Sequence, residues 1–255
     1  MTLSSGAMSG LRTEWDGDVL RVTLARPERR NAFDAELIAD LTDAFADVGE
    51  ARAVVLAGDG DTFCAGADIE WQRSAIELSF EDNVEDALRL YRMLETVDSC
   101  PAPVVARIQG YCLGGGCGLV SCADIAIAGE GAVFGFSEVK LGIVAAVISP
   151  FALARIGPGA ARRYLLTGER FGPDVALRIG LVHEVATSLD EAAERVVAEL
   201  LSGGPNAVRQ AKGLIRSGPG DGQALAELAA RMRTSEEGQD GLRAFLERRK
   251  PGWLA

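Results

Sequence analysis

The chain has 255 residues, 48% of them hydrophobic and 25% charged, a composition that packs into about one to two domains and excludes disorder over most of the length. With 26 Lys and Arg against 37 Asp and Glu, the formal net charge of −11 argues against nucleic acid or an acidic membrane surface as partner. The five cysteines, at 64, 100, 112, 117 and 122, are odd in number and contain no CxxC pair, which reads as reduced, buried thiols. The first ten residues, MTLSSGAMSG, lack a charged start and an apolar run, and the longest uninterrupted apolar stretch, Ile143 to Ile148, is far short of the ~20 residues that span a bilayer. A soluble, reducing, cytoplasmic setting is expected.

In chain order, Leu20, Val22 and Leu24 alternate with polar residues as in a half-buried strand that Arg26-Pro27 ends. Asp34 is an N-cap candidate for a helix carried by Leu37, Leu41, Ala44, Phe45 and Val48. Ala53 to Ala57 reads as a fully buried strand, broken by Gly58-Asp59-Gly60-Asp61. A helix carried by Val84, Ala87, Leu88, Tyr91 and Leu94 precedes a third strand, Pro103 to Ile108, and the glycine-dense run Gly110 to Gly118 opens an apolar helix ending near Cys122. Asp124 to Ala128 is a strand again, so strands recur after helices and predict an α/β core with largely parallel pairing over residues 1–190. Residues 191–255 are expected to be helical, with faces at Ala193/Val196/Val197/Leu200/Leu201, Leu225/Leu228/Met232 and Leu242/Phe245/Leu246.

Three places could carry chemistry. Phe63-Cys64-Ala65-Gly66-Ala67-Asp68-Ile69 is a turn of tiny residues between a strand and a helix start, and Gly110 to Gly118 is a second, so their backbone amides could together face one polarised carbonyl. Glycine in tight turns is also ordinary structural use. The third is Glu138: if Val133 to Val139 is extended, Phe134, Phe136 and Glu138 share a face, and burial beside two rings would raise the carboxyl's pKa. Gly116-Cys117-Gly118-Leu119-Val120-Ser121 approximates a dinucleotide fingerprint but fails at its sixth residue. His183, the only histidine, has no evident nucleophile partner, and no cluster has metal-ligand spacing, so no metal is expected. Arg26, Arg29 and Arg30 form a small basic cluster able to meet phosphates.

In order, these segments resemble the enoyl-CoA hydratase/isomerase, or crotonase, family over nearly the whole chain. Arg26-Pro27-Glu28-Arg29-Arg30-Asn31-Ala32-Phe33 is similar to its CoA-contacting segment, Phe63 to Ile69 and Ile108 to Gly118 to its two oxyanion turns, and Ala244 to Pro251 to its ending. The resemblance implies a spiral of ββα units with a helical C-terminal trimerisation region, and an acyl-CoA substrate that brings coenzyme A itself, with no separate cofactor. It makes the Ala67 and Gly115 amides the oxyanion hole and implies acyl-CoA contacts at Arg26, Arg29, Ala32, Ala65, Ala67, Asp68, Ile69, Gly115, Phe245 and Lys250. Gly118 stands where the family's first catalytic glutamate belongs, and Glu138 at the second, so one carboxyl would serve as acid and base.

Ala67 to Arg73, Phe136 to Ile143 and Ala146 to Pro150 look like the methylglutaconyl-CoA hydratase branch, which implies a cation, Arg73 or Lys140, for a distal carboxylate. The expected activity is hydration of an α,β-unsaturated acyl-CoA. The alternatives are a Δ3,Δ2-enoyl-CoA isomerase and a non-catalytic acyl-CoA-binding protein. The resemblance implies a homotrimer or a hexamer built from two trimers.

Overall fold

A computed structural model describes residues 10–218 and 220–254. The leading segment read for targeting signals therefore lies, up to residue 9, outside the described residues, as does Pro219 in the loop before the penultimate helix.

The chain opens with a hairpin, β1 (Leu11–Asp16) and β2 (Val19–Leu24), then α1 (Ala35–Ala46), β3 (Ala53–Gly58), α2 (Ile69–Ala75) and α3 (Phe80–Asp98). β4 (Val104–Ile108), β5 (Tyr111–Leu113), α4 (Gly115–Cys122), β6 (Ile125–Gly129) and β7 (Val133–Gly135) follow. The rest is α5 (Ser149–Thr167), α6 (Pro173–Arg178), β8 (Glu184–Ala186), α7 (Leu189–Ser202), α8 (Pro205–Ser217), α9 (Gly222–Thr234) and α10 (Glu236–Glu247). The main sheet runs β1-β2-β3-β4-β6-β8 and is parallel apart from the β1–β2 hairpin, while β5 and β7 pair as a second, short sheet.

Each of four successive turns of chain contributes a main-sheet strand, a short inner segment and a helix. The inner segments are Phe33, Cys64, β5 and β7, joined by the parallel bridges Phe33–Ala67 and Cys64–Cys112 and by the β5–β7 ladder. This is the expected α/β spiral.

Alternation along the buried strands divides the core. Val54, Leu56, Val104 and Ala106 face the larger core with α1, α3, α4 and α5, whereas Val19, Val55, Val105 and Ile127 meet Ala192, Ala193 and Val197 of α7 on the opposite face. α7 thus closes the sheet although it lies beyond residue 190. Asp34 caps α1 as expected, its carboxylate accepting from Leu37 N at 2.9 Å. All five thiols are free and buried. No helix among the described residues is long and apolar enough to cross a membrane.

Two expectations need correction. The opening unit is a hairpin followed by a helix, because β1 keeps only Leu11 buried and so shows no apolar alternation. The N-terminal half of α3 is not a core face, for Val84 and Leu88 stand exposed and burial begins at Met93, Leu94 and Val97. α10 is helical as expected, and its Leu242/Phe245/Leu246 face is exposed within one chain.

α8 is pinned to the sheet by buried Lys212, whose Nζ donates to Asp124 Oδ2 at 2.7 Å and to Ala102 O at 3.0 Å. The same Asp124 oxygen accepts from Val104 N. Lys212→Met strands that carboxylate and should cost about 3 kcal/mol, read as a lower urea midpoint at unchanged slope.

Candidate active site

The inner segments bring the two glycine turns side by side. A Cβ on Gly66 would stand 3.0 Å from Leu113 O, and Gly66 has φ +94°, so this crossing needs a residue without a side chain. Gly114, at φ 51° and ψ −117°, directs the chain into α4. Phe33 N donates to Gly66 O and Asp68 N to Phe33 O, each at 2.7 Å, which leaves the intervening Ala67 amide turned away from the ladder. Gly115 is the first residue of α4, where an amide has no carbonyl one turn back. Among the described residues neither amide has a partner.

A cavity of about 300 Å³ opens against both turns, lined there by Ala65, Gly66, Ala67, Gly114 and Gly115. Glu138 lines it too, but not through an extended strand. β7 stops at Gly135, Ser137 (φ −92°, ψ 5°) turns the chain, and Glu138 begins a single 3-10 turn to Leu141. Phe134 and Phe136 pack into the core against Phe171 and do not line the cavity, whereas Glu138 does. Its Oε1 lies 3.1 Å from where a Gly114 Cβ would be, and its Oε2 is buried without a hydrogen-bond partner. Burial pushes its pKa above the ordinary glutamate value.

Gly118 is fully enclosed. A Cβ there would meet Ile148 Cγ2 at 2.6 Å and Leu94 Cδ1 at 3.6 Å, so Ile148 already fills the place of a longer side chain.

The other candidates divide. Ala32 is buried behind the first turn, Asp68 caps α2 by accepting from Glu70 N and Trp71 N, and Ile69 stands exposed at the start of α2. Arg26 is buried and paired with Asp34 at 2.5 Å, while half-exposed Arg29 lies 3.8 Å from both Asp34 and Asp68. Phe245 is 82% exposed on α10 and Lys250 lies just beyond that helix, so one chain does not bring them to this cavity. Arg73 pairs with Glu70 on the surface, and neither it nor Lys140 lines the cavity. Sequence reasoning missed the α3 wall, where Asn83, Asp86, Ala87 and Leu90 line the cavity at helical spacing.

His183 is structural. Its Nδ1 accepts from Ala126 N at 3.1 Å, and burial followed by the nearby Arg155 charge lowers its pKa. No cluster of metal ligands occurs among the described residues.

Two free amides converging on a cavity that also holds a desolvated carboxyl suit an enzyme that stabilises an oxyanion while moving a proton. The comparisons with known proteins give the family. The enoyl-CoA hydratase/isomerase profile matches residues 14–255. A crotonyl-CoA hydratase from Syntrophomonas wolfei is 31% identical over 242 residues, covering 90% of this chain and 92% of that one. Among solved structures, an enoyl-CoA hydratase from Shewanella pealeana superposes with a TM-score of 0.91 at 39% identity, covering 96% of both chains. An enoyl-CoA hydratase/isomerase from Marinobacter aquaeolei gives 0.89 at 32%, covering 96% and 99%. The chain belongs to the enoyl-CoA hydratase/isomerase family and has the crotonase fold.

Gly118→Glu should destabilise the protein by about 1 to 3 kcal/mol through overpacking against Ile148. Adding Ile148→Ala should recover most of the loss, as measured by thermal melting of the two variants side by side.

Proposed function

We propose that this protein adds water to an α,β-unsaturated acyl-CoA, with Glu138 as its single acid/base. The Ala67 and Gly115 amides receive the thioester oxygen. The observation that carries the reading is the partnerless buried Oε2 of Glu138 in the cavity that the two free amides border. As water oxygen bonds to Cβ, Glu138 takes its proton, and the Cα–Cβ π electrons shift to give an enolate whose oxygen the two amides hold. Each such donor contributes about 3 kcal/mol to lowering the barrier. Glu138 then returns the proton to Cα, and the thioester carbonyl re-forms. A carboxyl with a raised pKa suits both halves, because it gives up the proton less readily before the enolate is ready to take it.

The finer expectation of a methylglutaconyl-type acyl group calls for a cation near its distal carboxylate. Arg73 and Lys140 do not supply one, and we take the substrate to be a neutral enoyl chain. Ile148 over Gly118 favours a second reading, Δ3,Δ2-isomerisation, since an apolar wall there suits proton transfer between two carbons without added water. The protein is proposed to work as a homotrimer or hexamer. Leu242, Phe245 and Leu246 leave an apolar face of α10 open for a neighbour, which could also bring Phe245 and Lys250 to CoA.

Turnover of crotonyl-CoA, 3-methylglutaconyl-CoA and a 3-enoyl-CoA should separate these readings. Hydration of a 2-enoyl thioester is the expected result, double-bond migration alone would replace it with the isomerase, and acyl-CoA binding without turnover would leave a binding protein.

Glu138→Gln should lower kcat by about a hundredfold or more. The wild-type rate should fall on the acid side through a pKa above the ordinary glutamate value, and that limb should vanish in the variant. Stability moves the opposite way. A carboxyl whose folded pKa is raised penalises the fold as it ionises, so the variant should melt higher than wild type at pH 7 and equally at pH below the unfolded glutamate value.

A further inference from the structure

The cavity wall carries a charge that the proposed reaction does not use. Asp86 lines it from α3, one turn after Asn83 and one turn before Leu90. Leu94, another turn on, packs towards Gly118 at the reacting end. Asp86 precedes Leu94 by eight residues, which places it about 12 Å further along the helix axis. Along α3 it therefore lies on the side of the cavity wall away from the Leu94–Gly118 contact.

The chemistry of that end is one-sided. Arg89 and Arg92 turn to Glu85, at 3.9 Å and 3.1 Å, and among the described residues Asp86 has no ion-pair partner. The Asn83 Nδ2 donates to Ala75 O, Leu78 O and Ser79 O at 3.0 to 3.4 Å, so the amide's donor end is committed to backbone and only its Oδ1, an acceptor, remains. Asp86 and Glu138 are the charged residues lining the cavity among those described, and both are acidic. Ile143, Val144 and Val147 line the same cavity and are apolar.

We propose that Asp86, with Asn83, selects a medium-length acyl chain whose far end is neutral and carries a hydrogen-bond donor such as a hydroxyl, and disfavours a chain ending in a carboxylate. This inference rests on the acyl-CoA reading of the cavity and names the substrate class that reading leaves open. A hydroxyl there donates to the Asp86 carboxylate, a charge-assisted bond, while a second carboxylate meets like charge.

Calorimetric titration with three saturated ten-carbon acyl-CoAs that differ only in their ends tests it without turnover: methyl-ended, hydroxyl-ended and carboxylate-ended. The wild-type protein should bind the hydroxyl-ended thioester tightest and the carboxylate-ended one weakest, the two differing by about tenfold in Kd. Asp86→Asn should remove most of that ratio by tightening the carboxylate-ended thioester, and Asp86→Leu should weaken the hydroxyl-ended one as well. Equal or tighter binding of the carboxylate-ended thioester by wild type overturns the proposal, as does a ratio that survives in Asp86→Asn. Loss of crotonyl-CoA hydration with the binding order intact would instead sink the hydratase reading and leave this inference standing.

Discussion

Everything in the site depends on how closely two backbone turns approach each other. The short inner sheet is too small to be a stability element in its own right. Its work is to draw Gly66 against Leu113 and Gly116 against Cys64, at separations that only residues without side chains allow. Once the ladder bonds of Phe33 fix the carbonyl of Gly66 and the amide of Asp68, the amide between them is left for a ligand. The surrounding layers, α1 and α3 on one face of the main sheet and α7 on the other, keep that geometry rigid.

The carboxyl opposite is held by contrast in an unfavourable state. Glu138 sits in a turn and keeps one oxygen buried and unpaired, and among the described residues no cation lines its cavity. Such unpaired burial normally selects against a residue, and its presence in a cavity bordered by two free amides is what supports the proposal that Glu138 is the reactive group. Ile148 adds to this, because it occupies the space that a side chain at position 118 would need.

Much of this was legible in the residues. The fully buried strands announced themselves as apolar runs, the Asp34 cap was visible, and the glycine turns marked the amide cradle. What stayed hidden was hidden for identifiable reasons. β1 is an edge strand with mostly polar side chains, so nothing in its pattern alternates. α8 is anchored by a buried lysine and not by an apolar face, and lysine ordinarily signals surface. Glu138 reaches the cavity by a path that the pattern does not show, since Ser137 bends the chain where alternation suggests a straight strand. Asp86 and Asn83 lie on a helix whose apolar residues gave the stronger signal, although that signal marked a largely exposed stretch.

The buried thiols have a consequence for how the cradle can be observed. Cys64 lies directly beneath Gly116, burial pushes its thiol up to about 12, and Cys112 is raised well above the ordinary range by burial and by Cys117 beside it. Closed, these sulfurs are inert to electrophiles, because neither thiolate nor access is available. They become reactive only when the turns above them separate from the core. The speed at which a small alkylating reagent consumes them is thus an intrinsic clock for the breathing of the amide cradle, readable without any foreign label.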